Sequence, residues 1–354
     1  MASSRKRTVV EKNGALRVAG SRVVGSSGNG VQLAGVSLYW SNTKWDCPQF
    51  YTQGVVDKLV DDWRCTIVRA AMGVDEPTGY FDDPEGNMAR VRVVVEAAIS
   101  RGIYVIIDWH SHHAEKFVEE AKAFFETMAR RYGSYENVVF EIYNEPIHTP
   151  WSTQTANTTV QAADTIKGYA EQIIPVIRKH SSNLVVVGTR FYSLYVWEAA
   201  LDPLAQFDDV AYTSHFYAGH HKLKERSFVR KGILGKDYVP ADGEAEAWTD
   251  DQRPTPVAVF VTEWAAVDQD GDGNLDEDSA REWLDFCDAH GISLAAWSVC
   301  DRKEGSAALA PGADPAGDWS ASDYTPSGNF VRSILLDYAN GRRPLFQAPE
   351  GSPS

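Results

Sequence analysis

The chain has 354 residues, 44% hydrophobic and 23% charged, which is enough apolar material for one large core. Its formal net charge of −15 argues against a nucleic-acid partner, because phosphates call for a basic surface. No apolar run is long enough to span a membrane, and the basic N-terminus MASSRKRTVVEKNG lacks the apolar segment of a signal peptide.

In chain order, residues 1–14 read as a tail. Short apolar runs then alternate with amphipathic ones. The strand candidates are Val31–Leu38, Thr66–Met72, Tyr104–His110, Val138–Tyr143, Leu184–Thr189, Val210–Tyr217, Val257–Trp264 and Ser293–Cys300. Helical patterns lie between them at Phe50–Trp63, Met88–Ser100, Glu115–Arg131, Val160–His180 and Asp278–His290, and a last one, Ser327–Ala339, follows the eighth strand. Eight strand–helix alternations predict a single (β/α)8 TIM barrel over residues 15–340, with a C-terminal tail at 341–354 whose end, Gln347–Ser354, reads as disordered. The segment Lys222–Thr255 is long for one connection and rich in acidic residues, so it reads as a helix followed by a solvated loop.

In such a barrel the chemistry sits at the C-terminal ends of the strands. Those ends are polar and aromatic here. Tyr39 and Trp40 follow the first strand. Arg69 lies on the second, and the third ends in Asp108-Trp109-His110. The fourth runs into Asn144-Glu145-Pro146, the sixth carries His215 and Tyr217, and the seventh ends in Glu263-Trp264. The eighth carries Trp297 and leads to Asp301, Arg302 and Glu304. Charged residues inside barrel strands are costly unless paired, so such a ring at one mouth points to a site. Two carboxylates delivered by two parallel strands, Glu145 and Glu263, suit cleavage of a glycosidic bond. The 11 Trp and 15 Tyr lean the same way, because aromatic rings stack on sugar faces, although any one of them can equally belong to the core.

Two stretches suggest ions. His110, His112 and His113 lie at a strand end rather than on a metal-binding helix, and His112 and His113 read as loop residues. The segment Asp268–Ser279, DQDGDGNLDEDS, has the oxygen-rich spacing of a calcium loop, with Asp268, Asp270, Asp272, Asn274 and Asp276 as candidate ligands of a structural calcium. Ser279 stands where the bidentate Glu belongs, and the competing reading is a polar loop that caps the next helix. Cys47, Cys65, Cys287 and Cys300 match no zinc spacing and read mostly as free buried thiols, with room for one disulfide.

The motifs VRAAM at 68–72, GYFDDPEGN at 79–87, GIYVIIDWH at 102–110, YNEP at 143–146, HFYAG at 215–219, VTEW at 261–264, WSVCDRKEGSAAL at 297–309 and SGNFVRSIL at 327–335 occur in one order across residues 15 to 340. In these the chain resembles glycoside hydrolase family 5, in particular bacterial endoglucanases of its subfamily 2. The resemblance implies a retaining endo-β-1,4-glucanase with no cofactor needed for catalysis, acting as an extracellular monomer on a β-1,4-glucan. It implies Glu145 as acid/base and Glu263 as nucleophile. It also implies support of the nucleophile by Arg69 and Tyr217, a sugar 2-hydroxyl on Asn144, and positioning by His110 and His215. Trp297 would be the platform under the reacting sugar, Trp40 would stack further along, and Arg302 and Glu304 would meet more distal sugars. The negative charge of Glu263 and burial by substrate are expected to raise the pKa of Glu145. The chain departs from the family pattern at Tyr39, where His is frequent, at Ala265, where Gly is frequent, at Arg302, where Lys is usual, and in its long loop before the seventh strand. These departures bear on substrate preference: mannan, xyloglucan and mixed-linkage glucan remain alternatives. A non-catalytic carbohydrate-binding barrel is disfavoured by the presence of both Glu145 and Glu263.

Overall fold

A computed structural model describes residues 7–343. The strands are β1 (Arg17–Ala19), β2 (Arg22–Val24), β3 (Ala34–Leu38), β4 (Ile67–Gly73), β5 (Tyr104–His110), β6 (Val138–Glu141), β7 (Val185–Val187), β8 (Val210–Tyr217), β9 (Val259–Ala265) and β10 (Leu294–Val299). The helices are α1 (Val9–Asn13), α2 (Gln53–Asp61), α3 (Pro84–Arg101), α4 (Val118–Tyr132), α5 (Ile166–Arg178), α6 (Arg190–Ser193), α7 (Val196–Leu201), α8 (Leu223–Leu234), α9 (Glu277–His290) and α10 (Pro326–Ala339). Strands β3 to β10 pair in parallel and in order, and β10 closes on β3, forming the expected (β/α)8 barrel. Five helices, α2, α3, α5, α9 and α10, start where a side chain caps them: Thr52, Asp83, Thr165, Asp276 and Thr325 each accept a first-turn amide.

Period-two alternation sorts the strand residues. Val68, Ala70 and Met72 of β4, and Val105, Ile107 and Trp109 of β5, pack outward in the large core shared with the helices. Ile67, Tyr104, Ile106, Val139, Val186, Ala211 and Phe260 point inward and fill the lower barrel. Continuing the alternation upward puts Arg69, Asp108, His110 and Glu141 on the inner face near the C-terminal mouth.

One irregularity decides the seventh barrel strand. Thr213 pairs with Phe260, but His215 pairs with Glu263, so three steps of β9 oppose two of β8. The same extra residue appears against β10, where Leu294 pairs with Val261 and Ala296 with Trp264. Strict alternation from Phe260 would turn Trp264 inward and Glu263 outward. The bulge reverses that phase. Glu263 enters the lumen beside Thr262, and Trp264 packs outside against Phe216, with ring centroids 5.6 Å apart.

The chain differs from its sequence reading in three places. Part of the expected N-terminal tail is folded: α1 carries a capping box between Thr8 and Glu11, and Val10 joins Leu16, Val23 and Leu33 in the floor of the barrel. Gly102, in the left-handed conformation after α3, makes room for this segment, since a Cβ there would lie 2.5 Å from Thr8. The segment after α8 is held down rather than merely solvated. Lys231 Nζ sits 4.1 Å from the Trp248 ring and 5.2 Å from Trp197, and it donates to the Glu246 carbonyl at 2.8 Å. Finally, β7 stops at Val187 because the chain turns at Phe191-Tyr192-Ser193, all with positive φ. The Ser193 hydroxyl donating to the Asn144 carbonyl (2.6 Å) and the Tyr192 amide donating to the Pro146 carbonyl (2.9 Å) hold that turn.

Candidate active site

At the C-terminal mouth a single guanidinium organises four acidic or polar groups. Arg69 is fully buried. It donates to Glu141 at 2.7 Å, to Asp108 at 2.9 Å, to Glu263 at 3.0 Å and to the Asn144 carbonyl oxygen at 2.7 Å. A buried charge persists only when its donors are satisfied, and here its partners come from four strands or strand ends. Three carboxylates around one cation are more negative charge than it neutralises. Burial, opposed by Arg69 and assisted by Glu263, pushes Asp108 up to about 7. Burial also raises Glu141. Asp108 lies 2.6 Å from His110 Nδ1, and burial together with the adjacent Arg69 pushes His110 down to about 3. His110 is therefore a neutral ring whose Nδ1–H is taken by Asp108.

The two candidate carboxylates have contrasting partners. Glu263 receives Arg69 on Oε2 and the Tyr217 hydroxyl, at 2.7 Å, on Oε1. Burial and the charge of Glu263 push Tyr217 well up, so it remains a donor. Glu145 faces two imidazoles instead: His215 Nδ1 is 2.8 Å from Oε1 and His112 Nε2 is 3.3 Å from Oε2. Burial pushes Glu145 up, but hydrogen bonds from His112 and His215 and their charge outweigh it and hold the carboxyl below the usual range. The rise expected from Glu263 and burial by substrate concerns the substrate-filled site; in the free protein the two imidazoles set the opposite direction. On its far side His215 Nε2 meets Thr262 Oγ1 at 2.9 Å, and Thr262 donates onward to Glu141 at 2.6 Å. The Thr262 oxygen therefore accepts from His215 Nε2–H, which turns the Nδ1 side toward Glu145.

On one side of these carboxylates lies an aromatic wall. Trp297 is parallel to His110 at 5.5 Å and tilted against Tyr39 at 5.1 Å. Trp40 stands edge-on to His110 at 4.2 Å. Arg302 lies over Tyr39 and Trp45, each at 5.5 Å, donates to the Trp45 carbonyl at 2.8 Å and pairs with Glu304 at 3.4 Å. On the other side is a cavity of about 410 Å³ lined by His112, Glu145, Phe191, Tyr192, Leu194 and Tyr217.

Among the described residues, Glu145, His215 and Glu263 form a group whose ligand atoms all lie within 4.8 Å of one another. Their acceptors are already engaged, and the Arg69 guanidinium stands against Glu263, so the set fits proton chemistry better than a cation. In the expected calcium loop several carboxylates are engaged by protein groups. Asp276 caps α9 through the Ser279 amide and pairs with Lys222 at 2.5 Å, while Lys222 Nζ also donates to the Ala218 carbonyl at 2.6 Å. Asp272 accepts the Gly273 and Gly305 amides, and Asp270 accepts the Asp272 amide. The polar-loop reading of Asp268, Asp270, Asp272, Asn274 and Asp276 is the one the geometry favours.

A family model described as Cellulase (glycosyl hydrolase family 5) matches residues 24–303. The chain belongs to glycosyl hydrolase family 5. It is 40% identical over 307 residues to Endoglucanase Z of Dickeya dadantii, covering 86% of this chain and 63% of that protein. It is also 40% identical over 321 residues to Endoglucanase A of Evansella cellulosilytica, covering 88% of this chain and 58% of that protein. The chain thus spans about three-fifths of the length of these relatives. Among solved structures, one from Cytophaga hutchinsonii superposes with a TM-score of 0.82 at 42% identity, covering 95% of this chain and 98% of that one. The catalytic domain of Thermobifida fusca endoglucanase Cel5A superposes with a TM-score of 0.78 at 31% identity, covering 93% and 100%.

In this family 5 barrel the structure brings together Arg69, His110, Asn144, Glu145, His215, Tyr217, Glu263 and Trp297, with Trp40, Arg302 and Glu304 flanking them. Sequence reasoning passed over Glu141, Thr262, Phe191 and Tyr192, and read His112 as a loop residue. Glu141 could have been found by continuing the inward alternation from Val139. For Phe191 and Tyr192 no local signal existed, since aromatic residues rarely adopt a left-handed backbone.

Proposed function

We propose that this barrel is a retaining endo-β-1,4-glucanase in which Glu263 is the nucleophile and Glu145 the acid/base. The supporting observation is the carboxylate pair itself: oxygens of the two residues lie within 4.8 Å of each other across an open groove. Retention needs carboxyls about 5–5.5 Å apart, whereas inversion leaves about 6.5–9.5 Å for a water. The partners divide the labour. Arg69 and Tyr217 each donate one hydrogen bond to the anion, one per oxygen, so Glu263 attacks the anomeric carbon with its charge already stabilised. Glu145 protonates the departing oxygen, then takes a proton from the water that breaks the glycosyl–enzyme ester. Asn144, fixed through its carbonyl oxygen by Arg69, directs its amide at the sugar 2-hydroxyl. Trp297 and Trp40 present rings to the sugar faces. One chain completes the site, which supports action as a monomer, and a polymeric substrate supports an extracellular setting. Nothing in this scheme requires a cofactor.

The test is reducing-sugar release from carboxymethyl cellulose, with galactomannan, xyloglucan and mixed-linkage β-glucan beside it, for wild type and Glu263→Gln. Activity on the cellulose derivative that vanishes in the variant is expected, with β-configured products by NMR at early times. Activity confined to another glycan would overturn the substrate, and α-configured first products would overturn the mechanism. Glu145→Ala should regain activity on a substrate with an activated leaving group when azide is added; without such rescue, the acid/base is another group.

A further inference from the structure

Glycosidic cleavage requires a proton on Glu145 when the bond breaks, yet the free protein holds this carboxyl ionised between two imidazoles. We propose that His112 is a positioning residue that carries this proton on Nε2 in the free protein and passes it to Glu145 Oε2 when a sugar fills the adjoining cavity. The inference rests on the reading of Glu145 as the acid/base.

The two imidazoles are not equivalent. His215 is 1% exposed and held at both nitrogens, by Glu145 and by Thr262. It is a fixed orienting group. The His112 side chain is 30% exposed, lies 3.3 Å from Glu145 Oε2 and lines the cavity beside Phe191 and Tyr192. Its backbone is anchored, because the Tyr143 hydroxyl donates to the His112 carbonyl at 3.0 Å. Its ring makes edge contacts with Trp40 at 5.8 Å and Tyr192 at 6.4 Å. His112 and Glu145 both line that cavity, so a sugar that fills it reaches the ring as well as the carboxyl, and it can turn this ring without moving the main chain.

The surrounding charges favour a proton on His112 in the free protein. Glu145, Glu263 and Asp75 all act on it as anions, and the nearby His110 is neutral. Burial opposes protonation, but the hydrogen bond and charge of Glu145 outweigh it and raise His112 above its ordinary 6.5. Turning the ring away from Oε2 removes one of the two partners that hold Glu145 ionised and leaves His215 on Oε1. As the ring begins to turn, while Nε2 still faces Oε2, the His112 Nε2–H bond breaks and a Glu145 Oε2–H bond forms, leaving a neutral imidazole and a carboxylic acid. Deglycosylation returns a proton from water to Glu145, and product release restores the ion pair. No electron transfer is involved.

The experiment compares wild type, His112→Asn and His112→Gln by pH profile on a soluble cello-oligosaccharide and on a dinitrophenyl cellobioside. Because kcat/KM reports the free enzyme, its alkaline limb in wild type should follow loss of the His112 proton. In the variants the proton must reside on Glu145 itself, so the limb should move to lower pH by about one unit or more, with kcat/KM near neutrality down about tenfold. The activated glycoside needs little acid help and should lose no more than about threefold. A raised KM with an unmoved alkaline limb would reduce His112 to a sugar contact and overturn the proposal. If Glu145→Ala damages the activated glycoside as severely as the oligosaccharide, the acid/base reading fails instead. Should the variants not fold, NMR of the wild-type imidazoles decides: His112 titrating at or below 6.5 in the free protein overturns the proposal.

Discussion

The lower and upper halves of the barrel lumen are built from the same strands, two residues apart, and they obey different physics. Below, Ile67, Tyr104, Ile106, Val139, Val186, Ala211 and Phe260 fill space and are held by burial of apolar surface. Above, Arg69, Asp108, Glu141, His215, Thr262 and Glu263 occupy the next inward positions and are held by donor–acceptor pairing. Packing is tolerant, because a neighbour can relax into a small gap. A buried ion network is not, because removing one member strands the others. The barrel floor therefore sets stability in small increments, while the mouth concentrates charge that stability alone would not select.

The largest break in this contrast should come from Arg69→Met. It leaves Asp108, Glu141 and Glu263 without their common cation, and a loss of about 3–5 kcal/mol is expected in urea unfolding, together with activity below detection. A variant as stable as wild type would mean that the carboxylates neutralise themselves by taking up protons. Next comes the pH dependence of stability. Unfolded Asp108 loses its proton near 3.8 and folded Asp108 near 7, so its contribution is fully present below the lower value and declines as pH rises between the two. In Asp108→Asn that decline should flatten by a few kcal/mol, at about 1.36 for each unit of difference. An unchanged slope would assign the titration to another group, Glu141 first. The smallest effect should come from the floor: Ile106→Val is expected to cost about 1 kcal/mol, with kcat/KM unchanged across the pH range. A change in the pH profile there would show that the two halves are coupled.

Much of this architecture is legible in local pattern. Tyr104–His110 and Val210–Tyr217 have the bounds that alternation and apolar runs predict, because strand periodicity is a property of consecutive residues. The polar strand ends were visible for the same reason. Contacts between distant segments were not. That Lys222 takes the position on Asp276 that a calcium ion was expected to share depends on residues 54 apart. That Lys231 holds down the segment after α8 depends on aromatic rings from three places in the chain. Folding of Val9–Asn13 into the barrel floor needs partners from β4, β5 and β9.

By itself the sequence determined the eight strands, their order and the identity of the polar groups at their ends, since each follows from residue type and period within a short window. Only the tertiary structure decided how those groups face one another. A single extra residue in β9 turns Glu263 inward and Trp264 outward, and a left-handed turn held by Asn144 and Pro146 sets Tyr192 beside His112. The same closure of the barrel places His112 and His215 against the two oxygens of Glu145 and so sets the direction of its pKa in the free protein. Electrostatic coupling of this kind depends on distance through space, which barrel closure fixes and sequence separation does not.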